Sequence, residues 1–169
     1  LGNTFPDPGP GRDILLVAGG YGVAPLHFFA RRRPAGTGTV CIGAASAADV
    51  LCADVFRGLG WDVRVSTVDG TLGHCGLVTE LVEEWFREHA GRPAELYACG
   101  PDGMLRAVGE LAREREARAW LSLDKHMGCG VGACLACVQK VRTGDTVERV
   151  RVCRDGPIFE ASRIVWDAT

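Results

Sequence analysis

From residue 13 onward, short continuous apolar runs alternate with segments whose apolar residues recur every three or four positions. Asp13 to Ala18 (DILLVA) and Thr39 to Ala44 (TVCIGA) have the unbroken apolar character of strands buried on both faces of a parallel sheet. Asp62 to Val68 (DVRVSTV) alternates as a third strand, and Glu95 to Ala98 and Ala119 to Leu123 supply a fourth and a fifth. Between them the period changes from two to about 3.6. Pro25 in a first turn marks a helix through Leu26 to Ala30, and Val50, Leu51, Val55 and Leu59 place another over Ala47 to Leu59. Leu77, Val78, Leu81, Val82, Trp85 and Phe86 give the clearest amphipathic helix, and Met104, Leu105, Val108 and Leu111 the last. This alternation predicts an α/β fold, a doubly wound parallel five-stranded sheet over residues 13–123 that binds ligands at the carboxyl ends of its strands. Residues 1–12, rich in Gly, Pro and Asn, read as a linker, and residues 124–169 as a separate small domain.

Two glycine turns sit at those carboxyl ends. After the first strand, Gly19-Gly20-Tyr21-Gly22-Val23-Ala24-Pro25 brings backbone N–H groups and a helix N-terminus to where a pyrophosphate would lie. Pro25 stands where the usual dinucleotide fingerprint has a third glycine, and no acidic residue closes the second strand, so a plain tight turn is the alternative. Cys99-Gly100-Pro101-Asp102-Gly103-Met104 is a second strand-to-helix turn, in which Met104 suits the core as well as a ligand. Ala44 to Asp49, after the second strand, offers no arginine for a 2′-phosphate and carries a carboxylate that repels one, so NADH is expected over NADPH.

The small domain holds four of the eight cysteines, Cys129, Cys134, Cys137 and Cys153. The spacing C-x4-C-x2-C followed by one distant cysteine is the plant-type pattern for a 2Fe-2S cluster. Gly128, Gly130 and Gly132 let the loop curl around sulfur, and Val131 and Leu135 are expected to shield iron from water. The segment from Cys137 to Cys153 must fold back, and Val138 to Val141 and Val147 to Val150 suit a hairpin turned at Thr143-Gly144-Asp145. Zinc is an alternative, although it more usually pairs cysteines on both sides, and disulfides are another that needs an oxidising compartment. Cys41, Cys52 and Cys75 suit core or loop positions, and His74 and His126 stand alone.

Composition narrows the classes. At 169 residues, 47% hydrophobic and 24% charged, the chain has an ordinary globular composition. Nineteen basic and 21 acidic residues give a net charge of -2 without long single-sign runs, which argues against a nucleic acid partner. There is no apolar run of transmembrane length and no signal-peptide pattern, and the cysteines outside the cluster loop suit a reducing cytoplasm. The chain begins at Leu1 rather than Met and reads as part of a longer protein.

Taken together, GGYGVAP, TVDG at Thr67 to Gly70, CGPDGM, the cysteine loop and the closing VCRDGPIF at Val152 to Phe159 resemble the electron-transfer subunits of NAD-linked type B dihydroorotate dehydrogenase, of the ferredoxin reductase superfamily. The resemblance runs from Leu1 to Asp167, and Leu1 to Phe5 looks like the family's GPLGN-F segment at the end of an FAD-binding barrel. It implies a pyridine-nucleotide domain and a 2Fe-2S domain here, with the FAD of the full-length family belonging to the barrel that this chain lacks. The implied function is an oxidoreductase component in pyrimidine biosynthesis, inactive without a flavin domain. Electrons would pass from dihydroorotate, oxidised at FMN in a separate catalytic subunit, to NAD⁺, in a heterotetramer. The resemblance assigns Gly19, Gly20, Gly22 and Ala24 to the nucleotide phosphates and Asp69, Gly100, Pro101 and Met104 to its ribose and nicotinamide side. Cys99 would lie near the meeting of nicotinamide and flavin, or is simply a small buried residue. Alternatives are another NADH-linked ferredoxin reductase or hydrogenase subunit, and a binding or assembly module with a vestigial nucleotide site.

Overall fold

The computed structural model describes residues 1–166, so the expected end of the small domain, 167–169, lies outside the described residues. The strands β1 (Asp13–Gly19), β2 (Gly38–Ala44), β3 (Asp62–Thr67), β5 (Ala94–Cys99) and β6 (Arg118–Ser122) form the parallel core of one sheet. These are the five predicted strands. Two further strands extend the sheet to seven in the order β4-β3-β2-β1-β5-β6-β9, namely the two-residue β4 (His74–Cys75) and β9 (Ile158–Glu160). Both are too short to show a period in sequence. β9 runs antiparallel to β6 and comes from the cysteine-bearing segment.

Alternate residues of β1 point to opposite faces, and each face has its own helices. Leu15 and Val17 pack with α3 (Val78–Glu88) and α4 (Asp102–Glu114), while Ile14, Leu16 and Ala18 pack with α1 (Val23–Ala30) and Phe56 of α2 (Ala53–Gly58). The continuous apolar run of β1 thus follows from burial on both sides. Burying Trp85 requires a partner for its indole N–H, which donates to Thr39 Oγ1 at 3.1 Å.

One expectation is corrected. The helix expected over Ala47 to Leu59 is broken: Ala47–Asp49 is a short 3₁₀ turn, Cys52 takes a left-handed φ of 59°, and only α2 follows. Asp49 bonds back to the N–H and hydroxyl of Ser46 and closes the turn before an α-helix can start. Residues 1–12 hold no helix or strand, and they pack against the sheet. Phe5 sits edge-on to Phe29 and Tyr97 at 5.6 and 5.5 Å, and the buried Glu95 carboxylate accepts from the Gly9 N–H at 2.9 Å and from the Trp120 indole at 2.8 Å. Asn3 exchanges two hydrogen bonds with the backbone of Ile158 in β9, at 2.8 and 2.9 Å.

The second sheet is small, with β7 (Val138–Thr143) and β8 (Thr146–Arg151) forming the predicted hairpin and β10 (Ile164–Val165) flanking β7. Thr143 pairs with Thr146 around a two-residue Gly144-Asp145 turn.

Candidate functional site

The hairpin brings the distant cysteine home. At its end the Val152 N–H donates to the Cys137 carbonyl at 2.9 Å, which sets Cys153, in the single turn of α5 (Val152–Asp155), beside Cys137. The Cys153 N–H then points at Cys137 Sγ at 3.4 Å. Cys129 and Cys134 form a second pair, each backbone N–H donating to the other's sulfur at 3.3 Å. Positive φ at Gly130 (70°) and Gly132 (80°) curls the loop between them. At Gly132 a Cβ would stand 2.8 Å from Arg154 Cδ, so a side chain there would also have to displace Arg154.

The four sulfurs are therefore arranged two and two, an outer exposed pair and an inner buried one. A binuclear cluster takes two protein ligands per iron, whereas a mononuclear zinc site needs four converging on one ion. The donor set and its pairing fit a 2Fe-2S cluster.

Thiolate character follows the backbone N–H groups. The Cys134 N–H brings the Cys129 thiol down to about 6, and the Cys153 N–H likewise lowers that of Cys137. Cys153 is raised, because its thiol hydrogen-bonds the Cys137 sulfur and keeps the proton. Val131 and Leu135 do not shield the site as expected. They are 73% and 72% exposed, since the curl that turns sulfurs and N–H groups inward turns these side chains outward.

A cavity of about 360 Å³ opens at the carboxyl ends of β1, β2, β3 and β5. Of the predicted nucleotide residues, Gly19, Gly20, Pro101 and Met104 line it. Gly22, Gly100 and Cys99 are not among its lining residues but pack against one another next to Gly19 and Met104. A Cβ on Gly22 would overlap the Cys99 carbonyl, and a Cβ on Gly100 would meet Gly19 Cα and Met104 Cε, so the two glycine turns lock together only without side chains. Cys99 is buried, and burial raises its thiol pKa. Ala24 is exposed on α1, and Asp69 is exposed on the turn after β3; neither lines the cavity.

Sequence reasoning did not assign Gly43, Ser66, Leu77 or Thr79, all of which line the cavity. Their signal is positional, at the last residues of β2 and β3 and the first turn of α3. Ser66 is 1% exposed and its hydroxyl has no hydrogen-bond partner among the described residues, an arrangement that favours a polar ligand atom nearby. Cys41 is buried, Cys52 and Cys75 are exposed, and His74 Nε2 lies 2.7 Å from Glu80 Oε2. No described helix is long and apolar enough to cross a membrane.

Residues 124–165 match the iron-sulfur cluster binding domain of dihydroorotate dehydrogenase B. A dihydroorotate dehydrogenase B (NAD(+)) electron transfer subunit from Shouchella clausii is 41% identical over 98% of this chain and 62% of its own length. One from Caldanaerobacter subterraneus subsp. tengcongensis is 38% identical over 92% of this chain and 60% of its own. The chain thus spans about three-fifths of the length of the curated relatives it matches. Among solved structures, a chain of an NADH-dependent reduced ferredoxin-NADP oxidoreductase superposes with a TM-score of 0.74 at 30% identity, covering 91% of this chain and 54% of that one. Over nearly its whole length, the chain is therefore similar to the dihydroorotate dehydrogenase B electron transfer subunits.

Proposed function

We propose that this chain is the nucleotide- and cluster-bearing part of an electron transfer subunit linking dihydroorotate oxidation to NAD⁺ in pyrimidine biosynthesis. The observation that carries the reading is the two-and-two pairing of Cys129 with Cys134 and of Cys137 with Cys153. In this reading residues 13–123 bind the nucleotide and 124–169 the cluster. When bound, a 2Fe-2S cluster moves single electrons, and a flavin is needed to join these to the hydride chemistry of a nicotinamide. The chain's own residues hold the thiolates, orient them by backbone N–H groups, and lock the Gly22 and Gly100 turns next to the nucleotide cavity. FAD is assigned to a flavin domain outside residues 1–169, and an FMN-containing catalytic subunit to the donor side, in a cytoplasmic heterotetramer.

The test is anaerobic purification followed by iron, sulfide and zinc analysis. Two irons and two sulfides with a red-brown colour are expected, and stoichiometric zinc with no visible absorbance would end the redox reading. NADH should bleach the colour only when a flavin domain is supplied. Rapid bleaching of the flavin-free chain would show that the cofactor assignment is wrong. The solved relative supports a second reading, a ferredoxin-linked reductase. Reduction by ferredoxin but not by a dihydroorotate-oxidising partner would select it.

A further inference from the structure

Two carboxylates stand near the rim of the nucleotide cavity, and they are held differently. Asp69 Oδ1 accepts from the Thr71 N–H at 3.0 Å and from the Thr71 hydroxyl at 2.6 Å. The same hydroxyl oxygen accepts from the Ala47 N–H at 2.8 Å, so Asp69 and Thr71 buttress the turn after β2 from behind. Asp49 sits on that turn and lines the cavity with Gly43, Ala44, Ala45, Ser66 and Val68. Its Oδ2 is fixed by the Ser46 hydroxyl at 2.7 Å and the Ser46 N–H at 3.2 Å, which leaves Oδ1 as the acceptor available to a ligand. The buried, unpartnered Ser66 hydroxyl lines the same cavity. No Lys or Arg is among the described residues that line it.

We propose that Asp49, and not Asp69, is the residue that sets nucleotide specificity, accepting the ribose hydroxyls of a 2′-unphosphorylated nucleotide and repelling a 2′-phosphate. The assignment rests on the nucleotide-binding reading given above. Asp69 is a positioning residue that acts through Thr71 and Ala47. A fixed carboxylate beside a phosphate monoester, with no cation to offset it, disfavours the phosphorylated ligand by about tenfold or more.

The cluster-loaded chain is titrated with NADH and with NADPH, following nicotinamide fluorescence, and the same is done for D49N and D69N. Wild type should prefer NADH by at least about tenfold, D49N should remove most of that preference by admitting NADPH, and D69N should shift the ratio by less than about threefold. The visible cluster spectrum reports that each variant is folded, and D49S replaces D49N if that variant is not. An equal affinity of wild type for both nucleotides would overturn the assignment, as would a larger shift in D69N than in D49N. Wild-type chain that carries its cluster and binds neither nucleotide would instead remove the nucleotide-binding reading, and this assignment with it.

Discussion

In the proposed function, the cysteine segment and the cavity at the strand ends solve the same problem, gathering a few atoms around a cofactor, in opposite ways. Three of the four sulfurs come from a single loop, residues 129–137, and backbone N–H groups of neighbouring cysteines orient them. The cavity collects its lining from elements as distant as β1 at Gly19 and α4 at Ala107. A local ligand set depends on side-chain chemistry and fails all at once. A distributed one depends on backbone register and close approach, and degrades by degrees.

The sharpest way to break this contrast is C153S. Losing one of two ligands on an iron should abolish the visible absorbance and the iron content while NADH affinity changes by less than about twofold, because the cavity shares no residue with the cysteines. A variant that keeps two irons and its colour would refute the ligand assignment. G22A should do the reverse. Its Cβ would overlap the Cys99 carbonyl, so the turns must part, at a cost of about 1–3 kcal/mol in urea unfolding and about tenfold or more in NADH affinity, with the cluster retained. Unchanged stability in G22A would mean that the turns are not locked as described.

Acid should weaken the nucleotide half by a smaller amount. The Arg64 guanidinium, 2.6 Å from Glu88, holds that carboxyl below its ordinary value of 4.5 and ties β3 to α3. A depressed pKa stabilises the fold above the unfolded value, and the contribution is lost as pH falls through the folded one. The difference in melting temperature between wild type and E88Q should therefore be greatest above about pH 5 and shrink toward pH 3. A difference that grows in acid would reverse the sign and exclude the pair as its source. The smallest effect is expected of L135S. Because Leu135 points outward, iron content should be unchanged and stability altered by less than about 0.5 kcal/mol. Loss of iron would restore the shielding role that the sequence suggests.

The same contrast explains what is legible in the sequence alone. A cluster loop is legible because ligand identity and spacing are written in consecutive residues, and the long apolar runs of β1 and β2 are legible because burial on both faces leaves no polar positions. The outward turn of Val131 and Leu135 was hidden, since spacing does not tell which way a curled loop faces. So was the break at Cys52. Apolar periodicity through Val50, Leu51 and Val55 continues across it, and only the bond from Ser46 to Asp49 shows that the backbone does not. Ser66 and Asp49 became cavity residues only when parallel pairing aligned the ends of β2 and β3.

The place of β9 has a consequence for how the chain is made. The strand that covers β6 leaves the ribosome only after the whole cysteine loop and the hairpin. Until then β6 presents a bare edge, of the kind that recruits strands from neighbouring molecules. Synthesis arrested near residue 123 would yield a nucleotide unit whose sticky margin invites aggregation, and an excised 13–123 fragment would inherit the same liability. Supplying a cluster to the loop promptly would hold Cys153 in place, with β9 only a few residues beyond it, and so cofactor delivery and closure of the sheet become linked events in one maturation.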